Sequence, residues 1–281
     1  MDKNLIAVGL TVDRFKGITP STFIKVVKKL GLEFVELTIS VFDDLEPCKN
    51  NIGNMKTGFH LPNLHDFKFD FSCINMDSKI QQLIALINDN YQELNIKYCV
   101  AHPPEDDSGV DVDESISYLI DNLKRLEPPI IIENIQGWDE HRFRSFYDEA
   151  KSVLGDKLIG LCFDAPHHVL SGRDPVDFIN NSNGEIRCIH LSDCKEGFDA
   201  HMPFGSGGSV PVDEILKTIK NVNYSGFINL ELLPRSQEDI VLIIKSYLKV
   251  VKTFNKKKYF TSLIRLFLFR SKLEKLLKNV L

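Results

Sequence analysis

The chain has 281 residues, 43% hydrophobic and 26% charged, which is the composition of a globular protein with apolar material for one large core or two ordinary domains. A net charge of -5 argues against a generally basic nucleic-acid surface. The six cysteines form no CxxC pair, which speaks against a disulfide framework and for a reduced, cytoplasmic setting.

Residues 1–4 run almost directly into a strand with no basic and then apolar leader pattern, so no secretory signal is expected. A strand over 5–10 leads to a helix over 20–30 ended at Gly31, and a strand over 34–39 follows. The stretch 41–55 is poorly periodic and predicts no regular helix. Strand 57–61 precedes a long loop and a helix over 78–94 with Asp77 as its N-cap. Strand 97–101 leads to helix 113–126, strand 129–133 to helix 140–154, and strand 159–163 to a short helix near 175–180. Strand 186–191 then leads to helix 212–221, and strand 227–230 to helix 237–254. Eight strand–helix units with no glycine-rich phosphate loop after the first strand favour a closed (β/α)₈ barrel over an open doubly wound sheet. The barrel is expected to occupy residues 1–254.

Residues 255–281 differ from the rest. They hold eight Lys/Arg against one acid, Glu274, a net +7 that leaves -12 for the barrel body. Leu263, Leu266, Phe267, Leu273, Leu276, Leu277 and Val280 recur at helical spacing, which predicts a basic amphipathic helix with its Leu/Phe face covered. The cover is expected to be the barrel, a second subunit or a membrane surface.

Nine side chains fall at, or shortly after, the C-terminal ends of apolar runs: His60, His102, Glu133, Asp164, His167, His190, Asp199, His201 and Glu231. In a (β/α)₈ barrel these ends open on one face, so residues far apart in sequence converge. Imidazole and carboxylate together suit a divalent Zn, Mn, Co or Mg ion. A single strand-end histidine is more often a hydrogen-bonded core residue; six strand ends in phase point to a site. Glu133 and Glu231 interrupt apolar strands, where an unpaired carboxylate is strongly disfavoured. Such a pair can also take a proton and return it. Asp164 and His167 are spaced to share one metal or two adjacent ones. The glycines at 205, 207 and 208 allow close backbone approach to a ligand. His167, Lys195 and Arg173 are candidates to hold substrate, the two cations gripping a phosphate or carboxylate.

The motifs Ile-Glu133-Asn, Gly-Leu-Cys-Phe-Asp164-x-x-His167, His190-Leu-Ser-Asp and Asp199-x-His201 followed by Gly-x-Gly resemble the xylose isomerase-like TIM barrels from about Leu5 to Phe254. That superfamily includes sugar isomerases and epimerases and the endonuclease IV type of abasic-site nuclease. The resemblance to endonuclease IV implies His60, His102 and Glu133 at one metal, with Glu133 bridging. It implies Glu133, Asp164, His190 and Glu231 at a second, and His167, Asp199 and His201 around a third. Ser192 and Ala200 depart from the nuclease pattern, and the segment from His190 to Asp199 is shorter than in the nuclease. The expected function is therefore a divalent-metal isomerase or epimerase of a small sugar, polyol or sugar phosphate, with one to three metals per chain and Glu133 and Glu231 as acid and base. The alternatives are a three-metal phosphodiesterase of abasic DNA, which the acidic barrel body disfavours, and a metal-binding barrel that has lost catalysis.

Overall fold

The computed structural model describes residues 6–278 other than 16, 106–110 and 196, and leaves aside the side chains of 237 and 270–278. Eight parallel strands close into a barrel: β1 (Ala7–Val12), β2 (Phe34–Leu37), β3 (Lys56–His60), β4 (Ile96–Ala101), β5 (Ile130–Glu133), β6 (Leu158–Asp164), β7 (Ile186–Leu191) and β10 (Phe227–Leu230). They pair in chain order, and β10 closes the ring against β1, with Ala7 opposite Phe227 and Leu10 opposite Leu230. Nearly every strand residue is buried, because parallel barrel strands are covered on both faces. Phe34, Tyr98, Ile131, Cys162 and Cys188 form a cluster inside the barrel, so the interior beneath the strand ends is filled rather than open.

The helices start and stop where local chemistry dictates. In α1 (Pro20–Leu30) the Thr19 side chain accepts from Thr22 N–H, Pro20 stands in the first turn, and Gly31 closes the end at φ 92. The remaining helices between barrel strands are α2 (Leu45–Ile52), α3 (Leu64–Phe67), α4 (Asp77–Asn90), α5 (Val112–Arg125), α6 (Glu140–Leu154), α7 (Ala165–Leu170), α8 (Pro175–Ser182) and α9 (Val212–Asn221). The stretch expected to lack a regular helix contains a 3₁₀ turn, Ile39–Asp44, and then α2. Pro47 obscures α2 in the sequence, but it sits in the first turn, where its missing N–H has no partner to lose. Asp77 is not a cap: α4 begins with it, and its carboxylate accepts from Gln81 and from the Tyr118 hydroxyl. The strand expected from residue 5 begins at Ala7; Leu5 lies outside the described residues.

Between β7 and α9 lies an antiparallel hairpin, β8 (Asp193–Lys195) and β9 (Phe198–Met202). Its base is fixed by the Asp193 carboxylate, which accepts from the backbone N–H groups of Cys194, Gly208 and Val210. A Cβ at residue 208 would collide with that carboxylate, so the glycine there serves the hairpin base. Nothing lies within 4 Å of a Cβ built at Gly205 or Gly207. After β10 come α10 (Gln237–Phe254) and α11 (Lys256–Lys278), separated at Asn255, whose side chain accepts from Lys258 N–H at 2.9 Å. α11 lies against α1 and α10. The Leu/Phe face expected to be covered divides here: Leu263 and Leu266 are half-buried, but Phe267 projects outward. Leu273, Leu276, Leu277 and Val280 fall outside the described side chains.

Candidate metal centre

Six consecutive strands of the barrel deliver donors to its C-terminal end. His60 ends β3, His102 follows β4, Glu133 ends β5, Asp164 ends β6, His190 is next to last in β7, and Glu231 follows β10. Each emerges from a buried apolar run, which fixes its height in the barrel. Asp164 is also the N-cap of α7: its Oδ1 accepts from His167 N–H at 2.6 Å, and that helix start presents His167. Asp199 and His201 come from β9. The hairpin is tied down by Leu233 N–H donating to the His201 carbonyl and by Arg235 donating to the Ala200 carbonyl.

His60, His102, Glu133, His167, Asp199, His201 and Glu231 line one cavity of about 700 Å³, with Asp164 and His190 behind them. His190 Nδ1 lies 3.2 Å from Glu133 Oε2 and 3.4 Å from Glu231 Oε2. His60 Nε2 is 3.4 Å from Glu133 Oε2 and 3.8 Å from Glu231 Oε1, and His102 Nε2 is 3.4 Å from Glu133 Oε2. His167 Nδ1 is 3.3 Å from Asp164 Oδ1, while its Nε2 is 3.3 Å from Asp199 Oδ2. His201 stands further out, its Nδ1 3.7 Å from Asp199 Oδ1 and 3.9 Å from Glu231 Oε2. Overlapping donor groups result, each with ligand atoms within 4.8 Å of one another, among them His60, His102 and Glu133; Glu133, Asp164, His190 and Glu231; Asp164, His167 and Asp199; and, on the β2 side, Glu36, His60, His190 and Glu231. His201 falls outside the third group, where resemblance had implied it.

The donors fit divalent metal. Both carboxylate oxygens of Glu133, Nε2 of His102, Nδ1 of His190, Nδ1 of His201 and Oδ2 of Asp199 are buried without a hydrogen-bond partner among the described residues. Clustered orphan acceptors of this kind are rare unless a cation satisfies them. Behind them the other ring nitrogens are held. His60 Nδ1 bonds the Leu61 carbonyl at 2.8 Å, and His167 Nδ1 bonds the Asn134 carbonyl at 2.9 Å. His190 Nε2 lies 3.1 Å from Glu36 Oε1. Glu36, fully buried on β2, also accepts from Asn229 Nδ2 at 2.9 Å and from the Tyr98 hydroxyl at 3.1 Å. Asn229 Nδ2 in turn reaches Thr11 Oγ1 at 2.8 Å. Glu36 and Asn134 were not singled out from the sequence. Glu36 carried the same signal as Glu133, a carboxylate inside an apolar strand, but sits below the strand end.

Lys195 and Arg173 do not join the cavity lining. Lys195 is exposed on β8, and Arg173 donates to the Trp138 carbonyl. No Lys or Arg occurs among the described lining residues.

The electrostatics of the metal-free site follow from this crowding. Burial works against a charged His60, but the close Glu133 carboxylate and the charges of Glu231 and Glu36 push it up to about 9. Burial likewise opposes ionisation of Glu231, yet His190 and His60 bring it down to about 2. Burial, reinforced by Glu133 and Asp199, pushes the Asp164 carboxyl well up despite His167. Protons on imidazole thus balance the carboxylates that a metal would otherwise balance. Because the folded value for His60 lies above the ordinary 6.5, its stabilising contribution is complete below pH 6.5 and lost as pH rises through about 9. The raised Asp164 acts in the same direction. Metal-stripped protein is therefore expected to lose Tm from pH 6.5 to 9 while metal affinity increases over that window, since ligands must shed protons to bind. Calorimetry of stripped protein across this range checks it; a flat or rising Tm contradicts it.

The sequence family described as xylose isomerase-like TIM barrel matches residues 24–249. Among curated relatives, the probable endonuclease 4 of Mycobacterium bovis (strain BCG / Pasteur 1173P2) is 33% identical over 121 residues, 39% of this chain and 48% of that protein. The chain spans about half the length of the curated relatives it matches. Among solved structures, the 3-keto-D-glucoside 4-epimerase from E. coli superimposes with a TM-score of 0.65 at 14% identity, covering 88% of this chain and 100% of that one. The IOLI protein, solved with a zinc atom bound, superimposes with a TM-score of 0.61 at 16% identity, covering 89% and 99%. At these identities the structures establish the fold alone. With its closed eight-strand barrel and this sequence match, the chain belongs to the xylose isomerase-like TIM barrel family.

Proposed function

We propose that this chain is a divalent-metal isomerase or epimerase of a small, unphosphorylated sugar or polyol. The observation that carries the reading is the pairing of Glu133 and Glu231 around His190 Nδ1, beneath a cavity with no Lys or Arg in its described lining. A cavity of about 700 Å³ suits a small molecule. Its lining has Asp13, Asp66 and Glu105 beside the donor carboxylates and histidines and no described Lys or Arg, which favours a neutral ligand over a phosphate.

Glu133, Asp164, His190 and Glu231 would hold the metal, which when bound polarises substrate oxygens and acidifies the C–H bond beside them. Both glutamates are depressed below the usual carboxylate range, so each is ionised at neutral pH. Glu231, on the cavity wall, removes the proton from carbon, and Glu133 returns one. Phe67, Phe198 and Leu232 line the same cavity and limit water at the reacting carbon.

A second reading has one observation in its favour. The further donor groups, His60–His102–Glu133 and Asp164–His167–Asp199, could hold additional metals, as a three-metal phosphodiesterase would require. The test is a panel of neutral sugars and polyols in D₂O with Mn, Zn, Co or Mg, run beside a duplex containing an abasic site. Deuterium entering one substrate carbon, with the duplex intact, is the expected result. Metal-dependent incision of the duplex, abolished by Glu133→Ala, promotes the second reading instead. Bound metal per chain gives an independent check: one favours the isomerase and three the phosphodiesterase.

A further inference from the structure

α11 has two apolar sides, and the barrel uses only one. Ser262 is buried, Tyr259 packs on the core, and Ser262 and Leu266 border a small void shared with residues of α1 and α10. Lys258 pairs with Glu33 at 2.9 Å, and the Arg265 guanidinium lies against Gly31. On the other side Phe260, Ile264, Phe267 and Leu268 are 60, 60, 80 and 66% exposed. They are the four most exposed large apolar side chains among the described residues. Their i, i+4, i+7, i+8 spacing makes them one continuous stripe along the helix. Bare stripes of this kind mark an interaction surface.

Charge identifies what covers it. Residues 255–281 contain eight Lys/Arg against the single acid Glu274. Lys256 and Lys257 are exposed at the start of α11, and Arg270, Lys272, Lys275 and Lys278 follow in sequence. Lys29 of α1 adds another cation, its Nζ 5.7 Å from the Phe269 ring centroid. A second copy meeting this stripe would set one basic helix on another, and like charge disfavours that pairing. An anionic bilayer surface supplies both the opposite charge and an apolar layer. Among the described residues no helix is long and apolar enough to cross a membrane, so α11 would lie along the surface.

We propose that α11 seats the protein on an anionic lipid surface, with Phe260, Ile264, Phe267 and Leu268 at the acyl boundary and the lysines among the head groups. The placement is compatible with access to the cavity. α11 contacts Gly31 and Glu33, which lead into the N-terminal end of β2, whereas the metal centre opens at the C-terminal ends of the strands. The acidic cavity thus sits at the barrel end away from this contact.

The test is sedimentation of the intact chain with vesicles of phosphatidylcholine mixed with phosphatidylglycerol, and with phosphatidylcholine alone. Binding to the anionic vesicles alone, released by added salt, is expected. Changing Phe260, Ile264, Phe267 and Leu268 together to Ser should lower partitioning by about tenfold or more. It should leave Tm and barrel assembly unchanged, since these side chains are exposed. Lys256→Glu with Lys257→Glu should weaken binding by a similar factor, and it keeps the test decisive if the apolar variant misfolds. No sedimentation of the unaltered chain, equal binding to both vesicle types, or full binding by the charge-reversed variant overturns the proposal. So does a dimer, seen by light scattering, that the serine variant splits, because the stripe would then be a subunit contact.

Discussion

Glu231→Gln is expected to reduce turnover between about 100-fold and 10,000-fold while leaving metal in the site. The amide has nearly the same shape and still offers an oxygen within reach of His190 Nδ1, which the glutamate approaches at 3.4 Å. It cannot take a proton from carbon. Metal content per chain should therefore stay near that of the unaltered protein while deuterium exchange into substrate collapses. Loss of metal together with activity would assign Glu231 to ligation alone. Unchanged exchange would remove it from the proton transfer altogether.

Glu36→Gln should lower metal affinity by about 10-fold to 100-fold while leaving Glu133, Asp164, His190 and Glu231 in place. Glu36 accepts from Tyr98 and Asn229 and faces His190 Nε2. For Nδ1 of His190 to be a lone-pair donor to metal, Nε2 must carry the hydrogen, and a carboxylate is its natural acceptor. Glutamine replaces one acceptor oxygen with an NH₂ donor. One of three donors then faces another donor, and the imidazole loses its fixed tautomer and orientation. Saturating metal should restore much of the turnover, which separates this positioning effect from a loss of catalysis. Metal affinity unchanged from the parent chain would reduce Glu36 to a packing role.

The barrel was legible because strands buried on both faces read as unbroken apolar runs, such as Ile130-Ile-Ile before Glu133. The unexpected helices are short ones: the four-residue α3 falls in the expected long loop, and α2 and α7 carry proline in the first turn without a clear apolar period. Pro47 hides α2, and Pro166 hides α7, although Asp164 followed by Ala-Pro is a helix-start signal. The β8–β9 hairpin was read as loop because its strands are short and carry mixed polarity, Asp-Cys-Lys and Phe-Asp-Ala-His-Met. The strand-end donors could be named from sequence because barrel topology converts position along a strand into position in the site. Glu36 and Asn134 act from behind the ligands, and their roles depend on cross-strand register that no periodicity encodes. Which apolar residues of α11 face the barrel is not legible in the sequence, because they occur around most of its circumference and only packing against α1 and α10 distinguishes Leu266 from Phe267.

The bonds of Asn229 have a consequence for how the chain folds. Asn229 on β10 bonds Thr11 on β1 and Glu36 on β2, across the seam where the first and last strands of the ring meet. Pairing residues 7–10 with 227–230 closes the longest loop between any two paired strands of the barrel, and such closure is slow and entropically opposed. Seven strands without the eighth would already present His60, His102 and Glu133 but would lack Glu231 and the bond from Asn229 that supports Glu36. A metal held by Glu133 and Glu231 together would bind only the closed ring, and by mass action would stabilise that closure. The candidate metal centre and the closure of the barrel share the same latch.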